Sequence, residues 1–148
     1  MTAQNEQRVI QCKIVIIGDT TVGKTSLLQQ FMKDQVDTAL VPTVGVSFMQ
    51  KQKKIDQTLY KLELYDTAGQ ERFNSLVPMY YQRANLCIIM FDTTNKSTFQ
   101  RVEHWESELN KYSGTEGKKV IRVVVGNKID KMTDQQIDDE LVTKWCKS

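Results

Sequence analysis

A chain of 148 residues is the size of one domain with a real core, and is too short for two comfortable ones. With 40% hydrophobic and 26% charged residues, 7 Gly and 2 Pro, it excludes disordered, collagen-like and low-complexity architectures. A formal charge of +2 is too small for the long-range field of a nucleic-acid or membrane binder, so no nucleic-acid partner is expected.

Cys12, Cys87 and Cys146 are odd in number and lack CxxC or Cys/His spacing. They argue against a disulfide scaffold or zinc site and fit reduced thiols in the cytoplasm. The opening MTAQNEQR carries no apolar signal core, and Thr2 stands where myristoylation needs glycine. No apolar run approaches the roughly 18 residues of a membrane helix.

The first strand is predicted at 12–17 (CKIVII). It runs directly into Gly18-Asp19-Thr20-Thr21-Val22-Gly23-Lys24-Thr25, a full G-x-x-x-x-G-K-[ST] match, and then into the helix-like SLLQQFM that opens at Ser26. Strand, loop and helix are the context this motif needs. Its glycines let backbone N–H groups turn around phosphate oxygens, Lys24 reaches the β and γ phosphates, and the Thr25 hydroxyl can ligand Mg²⁺. Residues 44–65 alternate apolar with polar positions on either side of Asp56-Gln57, as two antiparallel edge strands in a hairpin would. The Lys51, Lys53 and Lys54 run within them reads as a solvated edge.

Asp66-Thr-Ala-Gly69-Gln70 follows the hairpin. A carboxylate there can hold Mg²⁺ through water, and the Gly69 N–H can approach the γ-phosphate. Residues 86–91 (LCIIMF) and 120–125 (VIRVVV) read as buried strands of a mainly parallel sheet. Between them, Ser97-Thr-Phe-Gln100 has capping-box form, and Phe99, Val102, Trp105, Leu109 and Tyr112 define one buried helix face. Trp105 and Trp145 read as core anchors, and His104 as a solvated residue. Asn127-Lys128-Ile129-Asp130 leaves the last strand, where a carboxylate can accept both guanine N1–H and the exocyclic amine, a donor pair adenine lacks. Thr133-Asp-Gln-Gln136 predicts a final helix starting near 134. The whole is an α/β domain.

On these residues alone a P-loop kinase has no use for DTAGQ or NKID. A nucleotide-binding interaction module with negligible hydrolysis stands as the alternative to a GTPase.

The stretches KIVIIGDTTVGKTSLLQQF, PTVGVSF, KLELYDTAGQERF, MYYQRA, IIMFDTTNKSTF and VVVGNKID resemble the Ras superfamily of small GTPases, most closely its Rab family. The resemblance covers 10–148, with 1–9 as a flexible extension. It implies a P-loop three-layer α/β/α fold whose mostly parallel sheet carries one antiparallel edge strand. It also implies a slow GTP hydrolase working in vesicle traffic as a molecular switch. Thr43 would contact the γ-phosphate and Mg²⁺ alongside Thr25 and Asp66, and Gln70 would orient the attacking water. Asn127 and Lys128 would brace the base loop and cover guanine. An exchange factor, a GTPase-activating protein and effectors would meet the switch segments, reading Phe48, Tyr65 and Tyr80. Departures from the family are Val36 in place of a guanine-covering aromatic, Tyr65 in place of tryptophan, Ser47 in place of aspartate, and hydroxyl residues at Thr20 and Thr21. The family fold also has a last strand, a guanine-contacting loop, a last helix and a lipidated tail beyond the 18 residues that follow Asp130 here. Cys146, third from the end, matches no lipidation motif, so membrane attachment would need a longer, lipidated form.

Overall fold

A computed structural model describes residues 8–33, 46–67, 77–113 and 119–147. The described elements are β1 (Arg8–Gly18), α1 (Lys24–Met32), β2 (Val46–Ile55), β3 (Thr58–Thr67), α2 (Val77–Tyr81), β4 (Leu86–Asp92), α3 (Lys96–Gln100), α4 (Val102–Ser113), β5 (Ile121–Asn127) and α5 (Asp139–Lys147). They build a five-stranded sheet in the order β2-β3-β1-β4-β5. All neighbours are parallel except β2 with β3, whose antiparallel register runs from Val46 opposite Thr67 to Ile55 opposite Thr58. The hairpin turns at Asp56, which takes a positive φ of 51°, a conformation aspartate tolerates better than most residues.

The near-continuous apolar run of β1 follows from its central place. Ile14 and Ile16 face a core with Val22, Leu28, Met32, Met49, Leu64 and Met90 on the α1 side of the sheet. Val15 and Ile17 face a second core with Ile89, Phe91, Phe99, Val102, Trp105 and Leu109 on the α4 side. A strand buried on both faces has no polar alternation to show.

Four local expectations change. The helix face of Phe99, Val102, Trp105 and Leu109 is buried as expected, but Asn95, not Ser97, caps its start. The Asn95 side chain accepts from the Ser97 backbone N–H at 3.1 Å, and the helix breaks at Arg101 into α3 and α4. The last helix starts at Asp139 rather than near 134, after a single tight turn at Met132–Asp134. Tertiary contacts account for the delay: the Gln136 N–H donates to the Thr93 carbonyl at 2.8 Å and Ile137 is buried. Asp138 then caps α5, its carboxylate accepting from the Leu141 N–H at 2.7 Å. Lys51 is buried rather than solvated, donating to the Phe31 carbonyl with its ammonium 4.3 Å from the Phe31 ring centre, while Lys53 and Lys54 are exposed. Finally, β5 is not covered on both faces, since Ile121 is 65% and Val123 41% exposed. It pairs with β4 alone among the described strands, and α5 beyond it has no buried residue. No helix among the described residues is long and apolar enough to cross a membrane.

Candidate functional site

The C-terminal ends of the parallel strands converge where the sequence places its motifs, the usual location of ligand crevices in such sheets. β1 ends at Gly18, with φ 140°, in contact so close that an added Cβ would stand 2.2 Å from the Met90 carbonyl oxygen. The chain then wraps through Asp19, Thr20, Thr21 and Val22 to Gly23, whose φ of 100° opens α1. No side chain caps this helix, so its first N–H groups point to the loop as donors for an anion. Thr21 holds a φ of 63°, an unusual cost for a β-branched residue. Thr20, Thr21 and Ser26 are exposed, whereas Val22 is fully buried in the α1-side core.

Lys24 is buried, and its ammonium donates to the carbonyls of Gly18 at 2.8 Å and Asp19 at 2.6 Å. Burial lowers its pKa, against the opposing pull of the Asp66 and Asp19 charges. The Thr25 hydroxyl donates to Asp66 Oδ2 at 2.5 Å. Asp66 is 1% exposed at the end of β3, and its other oxygen, Oδ1, is buried with no hydrogen-bond partner. Burial raises the Asp66 pKa, with the Thr25 hydrogen bond and the Lys24 charge pulling the other way. The next residue fixes the strand end, as the Thr67 hydroxyl donates to the Ile16 carbonyl at 2.8 Å. Hydroxyl and carboxylate oxygens beside an unsatisfied buried oxygen suit a hard divalent cation such as Mg²⁺, which takes few protein ligands.

Across the site, Asn127 ends β5 and ties it to the phosphate loop, its Nδ2 donating to the Val22 carbonyl at 2.8 Å. A Cβ on Gly23 would stand 2.2 Å from that same nitrogen, so glycine is what lets the two loops touch. Lys128, at φ 66°, pairs its ammonium with Asp92 Oδ2 at 2.6 Å. Asp92 also accepts from the Thr94 N–H at 2.9 Å and hydroxyl at 2.7 Å. Burial pushes the Asp92 pKa up, but the hydrogen bonds from Lys128 and Thr94 outweigh it and the net direction is down. Asp130 lies two residues on, exposed at the rim. Gly18 through Thr25, Asp66, Asn127 and Lys128 are therefore brought together, while Thr43, Gly69 and Gln70 lie outside the described residues, as does Val36.

The three aromatics assemble beside this site. Phe48 on β2, which is 50% exposed, lies 5.0 Å from Tyr65 on β3, and Tyr65 lies 5.7 Å from Tyr80 on α2, centre to centre. Lys13 locks the group, its ammonium donating to the Gln82 carbonyl at 2.8 Å while lying 4.9 Å from the centre of the Tyr65 ring.

Two participants escaped the reading by motif. Asp92 stands at the C-terminal end of β4, and its signals are that position and its place in the stretch IIMFDTTNKSTF, neither of which names a role for it. Trp105 is a core residue as expected, but its indole N–H also donates to Asp19 Oδ1 at 2.8 Å.

Comparison with known proteins agrees with the geometry. The profile of the Ras family matches residues 13–148. Over 137 residues the chain is 39% identical to the Ras-related protein Rab-7a of Paramecium octaurelia, covering 92% of this chain and 66% of that protein. Over 119 residues it is 45% identical to the Ras-related protein Rab-18-B of Danio rerio, covering 80% and 57%. The chain thus spans no more than about two thirds of the length of these curated relatives.

Proposed function

Given that the chain belongs to the Ras family of small GTPases, on its Rab-like side, we propose that it binds GTP and GDP with Mg²⁺ and hydrolyses GTP as a switch in vesicle traffic. The observation that carries the reading is the cluster of Lys24, Thr25 and Asp66, with its unpartnered buried oxygen at the mouth of an uncapped helix. The loop N–H groups and Lys24 bind the phosphates and stabilise charge on the transferred phosphoryl group. Thr25 and Asp66 would hold Mg²⁺ with Thr43, and that ion would supply further neutralisation of phosphate charge. Gln70 orients water for in-line attack, and Asp130 selects guanine by accepting its two N–H donors. No side chain forms a covalent intermediate. Intrinsic turnover is therefore expected at about 10⁻⁴ to 10⁻² s⁻¹ unless a partner supplies an arginine. Phe48, Tyr65 and Tyr80 present the nucleotide state to effectors, with an exchange factor and a GTPase-activating protein as regulators.

Single-turnover hydrolysis in the purified protein, wild type against Gln70→Leu, tests the chemistry: the variant should be at least tenfold slower with nucleotide still bound. Asp130→Asn should shift binding from guanine towards xanthine nucleotides. Equal affinity of the wild type for ATP and GTP would refute the base assignment.

A further inference from the structure

Asp19, the first residue of the phosphate loop after Gly18, is held at both of its acceptor groups. Its carbonyl takes the Lys24 ammonium at 2.6 Å, while its carboxylate oxygen Oδ1 takes the Trp105 indole N–H at 2.8 Å and lies 3.0 Å from Arg101 Nε. Both carboxylate partners come from the α3–α4 region. Arg101 sits at the break between α3 and α4, and Trp105 lies one turn on, its backbone N–H donating to the Arg101 carbonyl at 3.0 Å, so the two side chains reach the loop together. The guanidinium also lies 5.8 Å from the centre of the Trp105 ring, and Trp105 is itself in the core, which limits how far the arginine can wander.

The chemistry of the loop makes this contact more than packing. A carboxylate at the start of a loop whose task is to surround a polyanion opposes that anion by Coulomb repulsion unless a cation answers it. Lys24 donates to the Gly18 and Asp19 carbonyls and feels the Asp19 charge only through space, so among the described residues the cation in direct contact with the carboxylate is Arg101. Arg101 is 39% exposed, and a pair so placed adds little to folding by itself. Its effect should emerge when phosphate charge arrives.

Building on the GTP-binding reading above, we infer that Arg101 and Trp105 are positioning residues for the nucleotide. By fixing and neutralising the Asp19 carboxylate, they hold the first turn of the phosphate loop against Lys24 and screen that carboxylate from the triphosphate.

The test is the affinity for Mg²⁺·GDP and for a non-hydrolysable GTP analogue, measured by nucleotide fluorescence on wild type, Arg101→Met, Arg101→Lys, Asp19→Asn and the Asp19→Asn/Arg101→Met double variant. Arg101→Met should weaken the triphosphate about threefold more than the diphosphate, because the triphosphate carries the larger charge. Arg101→Lys should recover much of that loss, and in the Asp19→Asn background Arg101→Met should cost nothing further. Trp105→Phe, which keeps the aromatic bulk and removes the N–H, should weaken both nucleotides. Arg101→Met that binds both nucleotides as wild type does, loses both equally, or loses as much without the Asp19 charge would overturn the inference while leaving the GTP-binding reading intact. A wild type that binds no guanine nucleotide would overturn both.

Discussion

At the phosphate end of the site, Gly18 and Asp66 stand on strands with neighbours on both sides, β1 between β3 and β4 and β3 between β2 and β1, and Lys24 opens α1 just beyond the loop. At the base end, Asn127, Lys128 and Asp130 leave a strand that pairs only with β4 among those described and shows Ile121 and Val123 to solvent. The phosphate residues are wedged by backbone contacts and buried polar bonds at strands paired on both sides, whereas the base loop is tied from one side, by Asn127 to the Val22 carbonyl, by Lys128 to Asp92, and by Thr93, whose N–H and hydroxyl donate to the Asn127 carbonyl at 3.0 and 2.9 Å. Local opening begins where the buried contacts are fewest. The guanine loop should therefore loosen before the phosphate loop does, and hydrogen exchange along β5 should be faster than along β1.

The largest way to test that contrast is at its tightest point. Gly18→Ala places a Cβ 2.2 Å from the Met90 carbonyl at a φ that alanine rarely adopts. Neither obstacle is a flexible side-chain end, so the expected cost is about 3 kcal/mol of stability, read from urea unfolding. A loss under about 1 kcal/mol would mean that β1 and β4 can part, and the phosphate end would not be the rigid one.

Asp66 sharpens the contrast electrostatically. Burial raises its pKa, so between the ordinary carboxylate value and the raised one the folded state holds more protons than the unfolded state. Stability of the ligand-free protein from this group is therefore fullest in acid and falls as pH rises through that window. Asp66→Asn should flatten this part of the profile in thermal melts. It should also reduce the gain in nucleotide affinity given by Mg²⁺ by roughly 10- to 100-fold. An unchanged Mg²⁺ dependence would remove Asp66 from the cation site.

These differences also explain what the sequence alone makes legible. The phosphate loop was legible because all its chemistry is contiguous, from Gly18 to Thr25, and its strand and helix flank it directly. The β2–β3 hairpin was legible because one of its faces is polar, which leaves alternation in the sequence. Lys51 was misread since an ammonium folded onto the Phe31 ring leaves the same letter as one in water. The late start of α5 depends on Gln136 reaching Thr93, a partner 43 residues away that no local cap signal reports. The link from Asp19 to Trp105 spans 86 residues, and an apolar period shows where an indole packs but not where its N–H points. The run VIRVVV suggested two covered faces, but such a run cannot count the neighbours on either side of its strand.

The smallest expected effect tests that last point. Ile121→Thr keeps a β-branched residue in the strand and changes only surface that is already 65% exposed, so little apolar area is lost to water. Unfolding of the isolated chain should shift by less than about 0.5 kcal/mol. The same substitution on a fully buried β4 residue, such as Ile89, would remove packing from both a neighbouring strand and the α4-side core and could not be so mild. A loss at Ile121 of more than about 1 kcal/mol would mean that something covers this face in solution. Repeating the measurement across a hundredfold range of protein concentration then identifies the cover. A second copy of the chain would make the loss grow with concentration, while contacts within one copy would leave it constant. In either case the base end would be held more firmly than a strand paired on one side implies, and the ranking of the two ends would have to be revised.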